Sequence, residues 1–189
     1  MVRLAIADPP YLGKSDRWYG TGRGLGKNLR RADSHPRADS HPRAAEWDDA
    51  ARHDALIAEL VANYDGWAIA LDVDSLPAYM RMPSLPADVM LLSWHKPNAL
   101  PSRRRVLSMW EPVIAYVPTT RRSVDEQRGR RVRNTLTAST PRAGFAGAKP
   151  RDWTLWICEV LGYDPSTDTM TDLFNGSGAV ARVLDGMLL

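Results

Sequence analysis

Short apolar runs alternate with a helical pattern in the first part of the chain. Residues 2–7 are apolar except at Arg3, as is typical of a buried strand. Residues 44–64 carry apolar side chains at spacings of mostly three and four, which predicts an amphipathic helix. A second apolar run spans residues 66–71. A strand, a helix and a strand in this order predict a parallel pair of strands.

The rest of the chain repeats these patterns. In chain order they predict a short helix over residues 75–81, strands over 88–94 and 110–117, a helix opening at 149–153, a strand over 169–174 and a closing helix over 179–189. We expect the two middle strands to form an antiparallel hairpin. We also expect Asp152 to cap the second long helix and Gly162 to end it. Together the elements indicate one α/β domain with a mostly parallel sheet and one antiparallel hairpin edge.

The composition is that of an ordinary globular domain. With 189 residues, 44% of them hydrophobic and 25% charged, the chain is long enough to bury a sizeable core. Its one cysteine, Cys158, excludes an internal disulfide, provides no metal-binding cluster and fits a reducing compartment. No apolar run is long enough to span a membrane, and the N-terminus lacks the apolar segment of a signal peptide. We therefore expect a cytoplasmic protein without a membrane partner.

Positive charge is concentrated in two segments that interrupt the pattern. The net charge is +3, but residues 13–43 and 119–143 each carry +5, which leaves −7 on the rest. We expect loop inserts at residues 13–43 and 118–148. Basic loops on an acidic body favour a polyanionic partner, although merely solvated loops have the same composition. The first insert contains a tandem duplication of RADSHP at residues 31–42, whose histidines we expect to be exposed rather than metal ligands.

An acidic tetrapeptide ends the first strand. Asp8-Pro9-Pro10-Tyr11 follows residues 2–7, and two prolines cannot extend a strand because they lack the N–H donors of a ladder. The acid and the aromatic ring are thereby held at the carboxyl end of a strand, where ligands bind in open α/β sheets. A strand followed by a purely structural Pro-Pro turn would have the same pattern.

A second motif lies near the other end of the sequence. Phe174-Asn175-Gly176-Ser177-Gly178 joins the last predicted strand to the closing helix. Glycines in such a turn let backbone N–H groups approach a ligand, and the N-terminus of the helix favours a carboxylate or phosphate. Structural turns use the same residues, so the specific signal is the pairing of this motif with the first.

Together the two motifs resemble those of the S-adenosylmethionine-dependent amino-methyltransferases of nucleic acids. The catalytic motif of that family is Asp-Pro-Pro-Tyr or Asp-Pro-Pro-Trp, and its cofactor motif is Phe-x-Gly-x-Gly. Lys149-Pro150 with Trp153 resembles its auxiliary cofactor motif. The order, with the catalytic motif first, is similar to the circularly permuted β-type DNA adenine-N6 methyltransferases of phages and bacteria and to the MT-A70-like group. The resemblance implies a Rossmann-like methyltransferase fold that uses S-adenosylmethionine and no metal.

The resemblance also implies a role for each motif. Asp8 and the backbone carbonyl of Pro9 would accept hydrogen bonds from the exocyclic amine, and Tyr11 would stack on the flipped base. Residues implied to hold the cofactor are Ala7, Asp8, Lys149, Pro150, Trp153, Asp172, Phe174, Asn175, Gly176, Ser177 and Gly178. Residues expected to contact nucleic-acid phosphates are Lys14, Arg17, Arg23, Lys27, Arg121, Arg122, Arg128, Arg130, Arg131 and Arg133.

The sequence departs from the family at its end. The family usually continues past the cofactor turn into two further strands whose acids hold the ribose and adenine, whereas this sequence ends one helix after the turn. We expect Lys149, Arg151, Trp153 or the insert loops to complete the cofactor site, or else a partner subunit, including a second copy in a homodimer.

The expected substrate is adenine in DNA. Cytosine-N4 enzymes resemble this family but more often carry serine in place of Asp8. The alternatives are methylation of adenine N6 in RNA or of cytosine N4 in DNA. A further alternative, from another class, is a catalytically silent nucleic-acid-binding homologue that acts as a subunit.

Overall fold

A six-stranded sheet forms the centre of the molecule. The computed structural model describes residues 1–15, 43–99, 105–123, 131–141, 148–176 and 178–187. The strands are β1 (Arg3–Ala7), β2 (Gly66–Ala70), β3 (Met90–His95), β4 (Trp110–Tyr116), β5 (Thr135–Thr137) and β6 (Thr169–Asp172). Across the sheet they lie in the order β5-β3-β4-β2-β1-β6. β4 runs antiparallel to β2 and β3, whereas the pairs β1–β2, β1–β6 and β3–β5 are parallel, so the sheet is mostly parallel as predicted.

Helices cover both faces of this sheet. They are α1 (Ala50–Asn63), α2 (Leu76–Tyr79), α3 (Arg151–Leu161) and α4 (Ala179–Asp185), with 3₁₀ helices at Ala44–Asp48, Val73–Ser75 and Thr119–Arg121. On one face, apolar side chains of α3 and α4 pack against Leu4 and Ile6 of β1. On the other face, α1 and α2 pack against the alternate residues Ala5 and Ala7. Because both faces are covered, β1 is buried from Leu4 onward, which explains its continuous apolar run.

The predicted antiparallel hairpin of β3 and β4 is confirmed, but it does not form the edge of the sheet. β4 lies inside the sheet beside β2, and the short strand β5 extends the sheet beyond β3. β5 consists of Thr-Leu-Thr, which is too short to show a period. Part of the loop expected over residues 118–148 therefore belongs to the sheet.

Two predicted element ends differ from those in the structure. Asp152 does not cap α3, because Pro150 is the N-cap and Asp152 lies in the first turn, where a negative charge still favours the helix dipole. The last strand ends at Asp172 and not at residue 174. Gly162 does end α3 as predicted, with a left-handed φ of 68° that other residues adopt at a cost.

The helix predicted over residues 44–64 is divided. Ala44–Asp48 forms a 3₁₀ helix, and α1 begins at Ala50. The Asp49 side chain accepts a hydrogen bond from the N–H of Ala51 at 2.9 Å, which satisfies one of the free donors at the start of α1. In the part of the chain that the structure describes, no helix combines the length and apolar character needed to cross a bilayer.

Candidate active site

The two sequence motifs meet at one edge of the sheet. β1 and β6 are parallel neighbours, with Ile6 paired to Asp172. The N–H of Leu173 donates to the carbonyl of Ile6 at 3.0 Å, so the chain leaves β6 beside the point where Asp8 leaves β1. In open α/β sheets, ligands bind at this carboxyl edge of the parallel strands. The tetrapeptide and the glycine turn therefore border one site, although they are far apart in sequence.

Asp8 is paired with Lys149 at the centre of this site. Lys149 Nζ donates to both carboxylate oxygens of Asp8 at 2.8 Å, and the lysine side chain is only 3% exposed. Burial raises the pKa of Asp8 above its ordinary value, because the opposing effect of the Lys149 ammonium is smaller. Burial alone would lower the pKa of Lys149, but the carboxylates of Asp8 and Glu111 outweigh it and raise that pKa. Lys149 therefore stays protonated inside the site.

Glu111 forms the other side of this charge cluster. Glu111 Oε2 accepts a hydrogen bond from the Tyr11 hydroxyl at 2.9 Å, and Oε1 accepts one from Lys96 Nζ at 2.5 Å. Lys149 Nζ lies 3.8 Å from Glu111 Oε2 and donates to the Tyr11 hydroxyl at 3.1 Å. Burial would raise the pKa of Glu111, but Lys149 and Lys96 outweigh it and hold that pKa below its ordinary value. The ammonium of Lys149 is thus shared by two carboxylates.

Glu111 and Lys96 are functional candidates that the sequence reasoning misses. Glu111 lies near the start of β4, opposite Trp94 in the hairpin. Because β4 is antiparallel, its start reaches the edge where the parallel strands end, and this brings Glu111 to Tyr11 across 100 residues of sequence. The available signal is that Glu111 is the one charged residue in the apolar run 110–117, a position where burial of a charge requires a partner.

Three aromatic rings surround the Lys149 ammonium. Nζ lies 5.5 Å from the ring centre of Tyr11, 5.9 Å from that of Trp94 and 5.7 Å from that of Trp153. Trp94 and Trp153 are buried, and Trp94 Nε1 donates to the carbonyl of Ala138 at 2.9 Å, which fixes the position of its ring. Aromatic faces at these distances attract cations. The rings therefore help to stabilise the Lys149 ammonium inside the site.

The turn after β6 has features of a ligand-binding turn. Gly178 has a left-handed φ of 66°, and an added Cβ would lie 3.1 Å from the guanidinium of Arg182. Asp172 accepts a hydrogen bond from the N–H of Phe174 at 3.2 Å, and burial raises its pKa. The Phe174 ring packs edge-on against Trp47 at 5.0 Å, a contact that the helical pattern around Trp47 does not predict. A carboxylate and an aromatic pair therefore flank the turn.

The remaining residues expected to hold the cofactor take several positions. Ala7, Pro9 and Pro10 are buried at the end of β1, and Pro150 caps α3. Asn175 and Gly176 are exposed. Lys149 and Trp153 border the charge cluster, and Ser177 lies outside the described residues.

Arg121 is not available as a phosphate contact. Its side chain is 4% exposed, and it donates to the two carboxylate oxygens of Asp168 at 2.6 and 2.9 Å and to the carbonyl of Gly162. A buried guanidinium that is paired with a buried carboxylate cannot reach a phosphate without breaking these contacts. We therefore assign Arg121 a structural role.

The other described basic residues differ in their pairing. Lys14 Nζ lies 2.6 Å from Asp74 and 3.7 Å from Asp72, and Arg122 lies 2.6 Å from Asp88. Both side chains have acidic neighbours that a phosphate would have to replace. Arg131 and Arg133 are exposed. Five of the expected phosphate contacts lie outside the described residues, and these are Arg17, Arg23, Lys27, Arg128 and Arg130.

Comparison with solved structures identifies the fold. The crystal structure of the M1.HpyAVI–SAM complex matches with a TM-score of 0.58 and 15% sequence identity, over 99% of this chain and 78% of that chain. The PvuII DNA methyltransferase (cytosine-N4-specific) matches with a TM-score of 0.61 and 15% identity, over 98% of this chain and 71% of that chain. No protein-family description and no curated protein matches the sequence. The chain has the Rossmann-like fold of these two structures, as predicted.

Proposed function

We propose that the protein transfers a methyl group from S-adenosylmethionine to the exocyclic amine of a base in DNA, with adenine N6 as the target. The observation that carries the proposal is the position of Asp8 beside the turn after β6, at the shared edge of β1 and β6. Two solved structures of this fold support it, since one is a complex with SAM and the other is a DNA methyltransferase.

The residues at the end of β6 fit S-adenosylmethionine. Asp172 offers a carboxylate for the amino or hydroxyl groups of the cofactor, and Phe174 with Trp47 offers an aromatic surface for its adenine. Gly178 keeps side-chain atoms out of the turn, so the backbone can approach a ligand closely. The cofactor supplies a methyl group on a positively charged sulfur.

Asp8 prepares the amine for transfer. The lone pair of an exocyclic base amine is delocalised into the ring, so its nitrogen is a poor nucleophile. Hydrogen bonds from the amine to the Asp8 carboxylate and the Pro9 carbonyl would localise the lone pair and stabilise the charge that develops on nitrogen. A preorganised contact of this kind is worth about 3–4 kcal/mol. A methylated amine nitrogen would have to lose one proton, and the Asp8 carboxylate, hydrogen-bonded to the amine, would be placed to accept it.

Tyr11 and the exposed arginines would hold the substrate. The hydroxyl of Tyr11 is fixed between Glu111 and Lys149, which orients its ring for stacking on a base flipped out of the duplex. Arg131 and Arg133 lie just before β5 and are exposed, so their side chains could reach a phosphate from the solvent side.

Cytosine N4 is the second candidate target. The neighbour with a TM-score of 0.61 is described as cytosine-N4-specific, and the exocyclic amines of adenine and cytosine present the same chemistry to an acid. The acid at position 8 favours adenine, because cytosine-N4 enzymes more often carry serine there.

Transfer of a radiolabelled methyl group to unmethylated DNA tests the proposal. We expect Asp8→Asn to lower the transfer rate at least about 100-fold, because the neutral amide cannot stabilise charge on the amine as a carboxylate does. Calorimetric titration should show that this variant still binds S-adenosylmethionine. Asp185→Asn, on the exposed face of α4, is the matched control and should transfer at the wild-type rate. Equal rates for the two variants would remove Asp8 from the mechanism.

A further inference from the structure

His53 is a buried histidine that the proposed chemistry does not use. It lies near the start of α1 and is 0% exposed. Its Nε2 lies 2.7 Å from the carbonyl oxygen of Trp47, and its Nδ1 lies 2.6 Å from the hydroxyl oxygen of Tyr79. A carbonyl oxygen can only accept, so Nε2 carries the ring hydrogen and Nδ1 accepts from the Tyr79 hydroxyl. Burial lowers the pKa of His53, which keeps the imidazole neutral and this pattern intact at neutral pH.

The first of these two hydrogen bonds fixes the backbone of Trp47. Trp47 lies in the 3₁₀ helix Ala44–Asp48, whereas α1 packs against Ala5 and Ala7 of β1. The hydrogen bond from His53 Nε2 to the Trp47 carbonyl joins these two helices. The imidazole and the indole also meet edge-on, with ring centres 5.2 Å apart. His53 therefore ties the position of Trp47 to α1 and, through α1, to β1.

Trp47 connects this histidine to the proposed cofactor site. Its ring packs edge-on against Phe174, which lies two residues after Asp172, the last residue of β6. Both rings are half-buried, so part of the aromatic pair is open to a ligand. The Arg52 guanidinium, also from α1, lies over the Trp47 ring at 5.0 Å and further limits its freedom. The affinity for a ligand on this pair therefore depends on where α1 places Trp47.

We propose that His53 is a positioning residue for S-adenosylmethionine, which acts by holding Trp47 beside Phe174 as a wall for the adenine of the cofactor. The inference rests on the proposed function, because it assumes that the cofactor binds at the turn after β6. His53 is fully buried and does not itself contact the cofactor. The hydrogen bond to the Trp47 carbonyl carries the effect, so removing that bond should weaken cofactor binding, and removing the bond to Tyr79 should not.

The test compares affinities for S-adenosylmethionine, measured by calorimetric titration, in variants that each remove one hydrogen bond. His53→Asn places an amide near the position of Nδ1 and cannot reach the Trp47 carbonyl. We expect it to weaken binding by roughly 5- to 30-fold, the effect of losing one buried hydrogen bond. His53→Gln places an amide N–H near the position of Nε2 and should bind within about 3-fold of wild type.

Tyr79→Phe is the matched control. It removes the other hydrogen bond of the same imidazole and leaves the contact with Trp47 in place. We expect it to lower the thermal stability about as much as His53→Asn does, because each variant loses one buried hydrogen bond. Its affinity for S-adenosylmethionine should nevertheless stay within about 2-fold of wild type. If the role of His53 were structural alone, the affinity would not distinguish between the two hydrogen bonds.

A second background shows whether His53 acts through the indole ring. Trp47→Ala keeps the backbone carbonyl and removes the ring, and we expect it to weaken binding by roughly 5- to 100-fold, the range of an aromatic contact with a base. Adding His53→Asn to Trp47→Ala should then change the affinity by less than about 2-fold, because the wall that His53 positions is already absent.

Two results would overturn the inference alone. One is a wild type that binds S-adenosylmethionine with the same affinity as His53→Asn, and the other is an equal loss of affinity in His53→Asn and Tyr79→Phe. If His53→Asn does not fold, Trp47→Ala decides: a loss of affinity supports the proposal, and an unchanged affinity shows that the ring held by His53 does not contact the cofactor. A wild type that binds no S-adenosylmethionine would overturn the proposed function and the inference with it. A wild type that binds the cofactor but methylates no DNA would contradict only the transfer step.

Discussion

At the scale of single residues, the two largest effects on the charge of Asp8 oppose each other. Burial favours the protonated acid, and the Lys149 ammonium at 2.8 Å favours the carboxylate. The proposed chemistry needs the carboxylate, because a protonated acid cannot stabilise positive charge on the amine. We therefore expect the proposed activity to require the lysine at the lower end of the pH range.

Lys149→Met should move the acid limb of the methyl-transfer rate to higher pH. Asp8 must be deprotonated, and its folded pKa is already above the ordinary value. Removing the ammonium leaves burial and the nearby charge of Glu111 unopposed, and both raise the pKa of Asp8 further. Single-turnover rates measured against pH test this, with Lys96→Met as the control that should move the limb less. If the acid limbs of Lys149→Met and Lys96→Met lie at the same pH, Lys149 does not keep Asp8 ionised.

The residues of the site differ in how far the sequence predicts them. Asp8 and Tyr11 belong to a contiguous motif, so a role for them can be proposed without knowing the fold. Glu111 reaches Tyr11 only through the pairing of strands distant in sequence, and a single acid in an apolar run does not say which partner it meets. The contact of Lys149 with Asp8, across 141 residues, is likewise a product of the tertiary structure.

At the scale of elements, β2 begins at Gly66, a position with no room for a side chain. A Cβ at Gly66 would lie 2.5 Å from Cδ of Pro118 and 3.0 Å from Cδ2 of Leu4. Because β2 pairs with β4 in the antiparallel sense, the residues after β4 close over the first residue of β2. Glycine is therefore required at this position for space rather than for its backbone conformation.

Gly66→Ala should lower the free energy of unfolding by about 1–3 kcal/mol, the usual cost of overpacking a close contact. The added Cβ would meet the rigid ring of Pro118, which has no flexible end that could move aside. Gly186→Ala is the control, because an added Cβ there meets its nearest atoms at 3.5 and 3.6 Å, which is ordinary contact. Chemical denaturation of both variants measures the difference. A Gly66→Ala variant as stable as Gly186→Ala would show that the start of β2 is not closely packed.

The elements that the sequence predicts well are those with a clear period. The helical spacing before β2 and the apolar runs of β1 and β2 identify these elements within a few residues. β5 has three residues and owes its existence to pairing with Ser93, Trp94 and His95 of β3. Its formation depends on tertiary contacts that no local pattern encodes.

At the scale of the whole molecule, one buried ion pair joins three distant parts of the chain. Asp168, just before β6, pairs with Arg121, which follows β4, and also accepts a hydrogen bond from the N–H of Val2 at 3.0 Å. The Asp168 side chain is fully buried. Desolvation would raise its pKa, but the hydrogen bonds from Arg121, Asp164 and Val2 outweigh it and lower the pKa to about 2. The folded protein therefore favours the ionised form of Asp168 more strongly than the unfolded chain does.

Asp168→Asn should lower the free energy of unfolding at neutral pH by about 3–5 kcal/mol, because it leaves the buried Arg121 charge uncompensated. In the wild type, a depressed folded pKa contributes stability that is present above the ordinary pKa of 3.8 and is lost as the pH falls towards about 2. That loss is on the order of 2 kcal/mol, and the Asn variant should lack it. Denaturation curves at neutral and acidic pH measure both effects, with Asp185→Asn as the exposed control. If the free energy of unfolding of Asp168→Asn depends on pH as in the wild type, Asp168 is not the source of the loss of stability at low pH.

The sequence predicts the fold class of the molecule better than it predicts the order of the strands in the sheet. Apolar runs separated by helices predict a mostly parallel α/β sheet, because such strands are buried on both faces. The position of β6 beside β1 is not contained in any local pattern. The register of Ile6 with Asp172 brings the two motifs together, and only the folded structure shows it.

The most direct test of the central claim is the identity of the methylated atom. Unmethylated DNA is incubated with the protein and S-adenosylmethionine carrying a deuterated methyl group, then digested to nucleosides and analysed by mass spectrometry. We predict labelled N6-methyladenine with the wild type and none with Asp8→Asn. Labelled N4-methylcytosine would correct the target and keep the mechanism. No labelled nucleoside from a protein that binds the cofactor, or equal labelling by Asp8→Asn, would contradict the account.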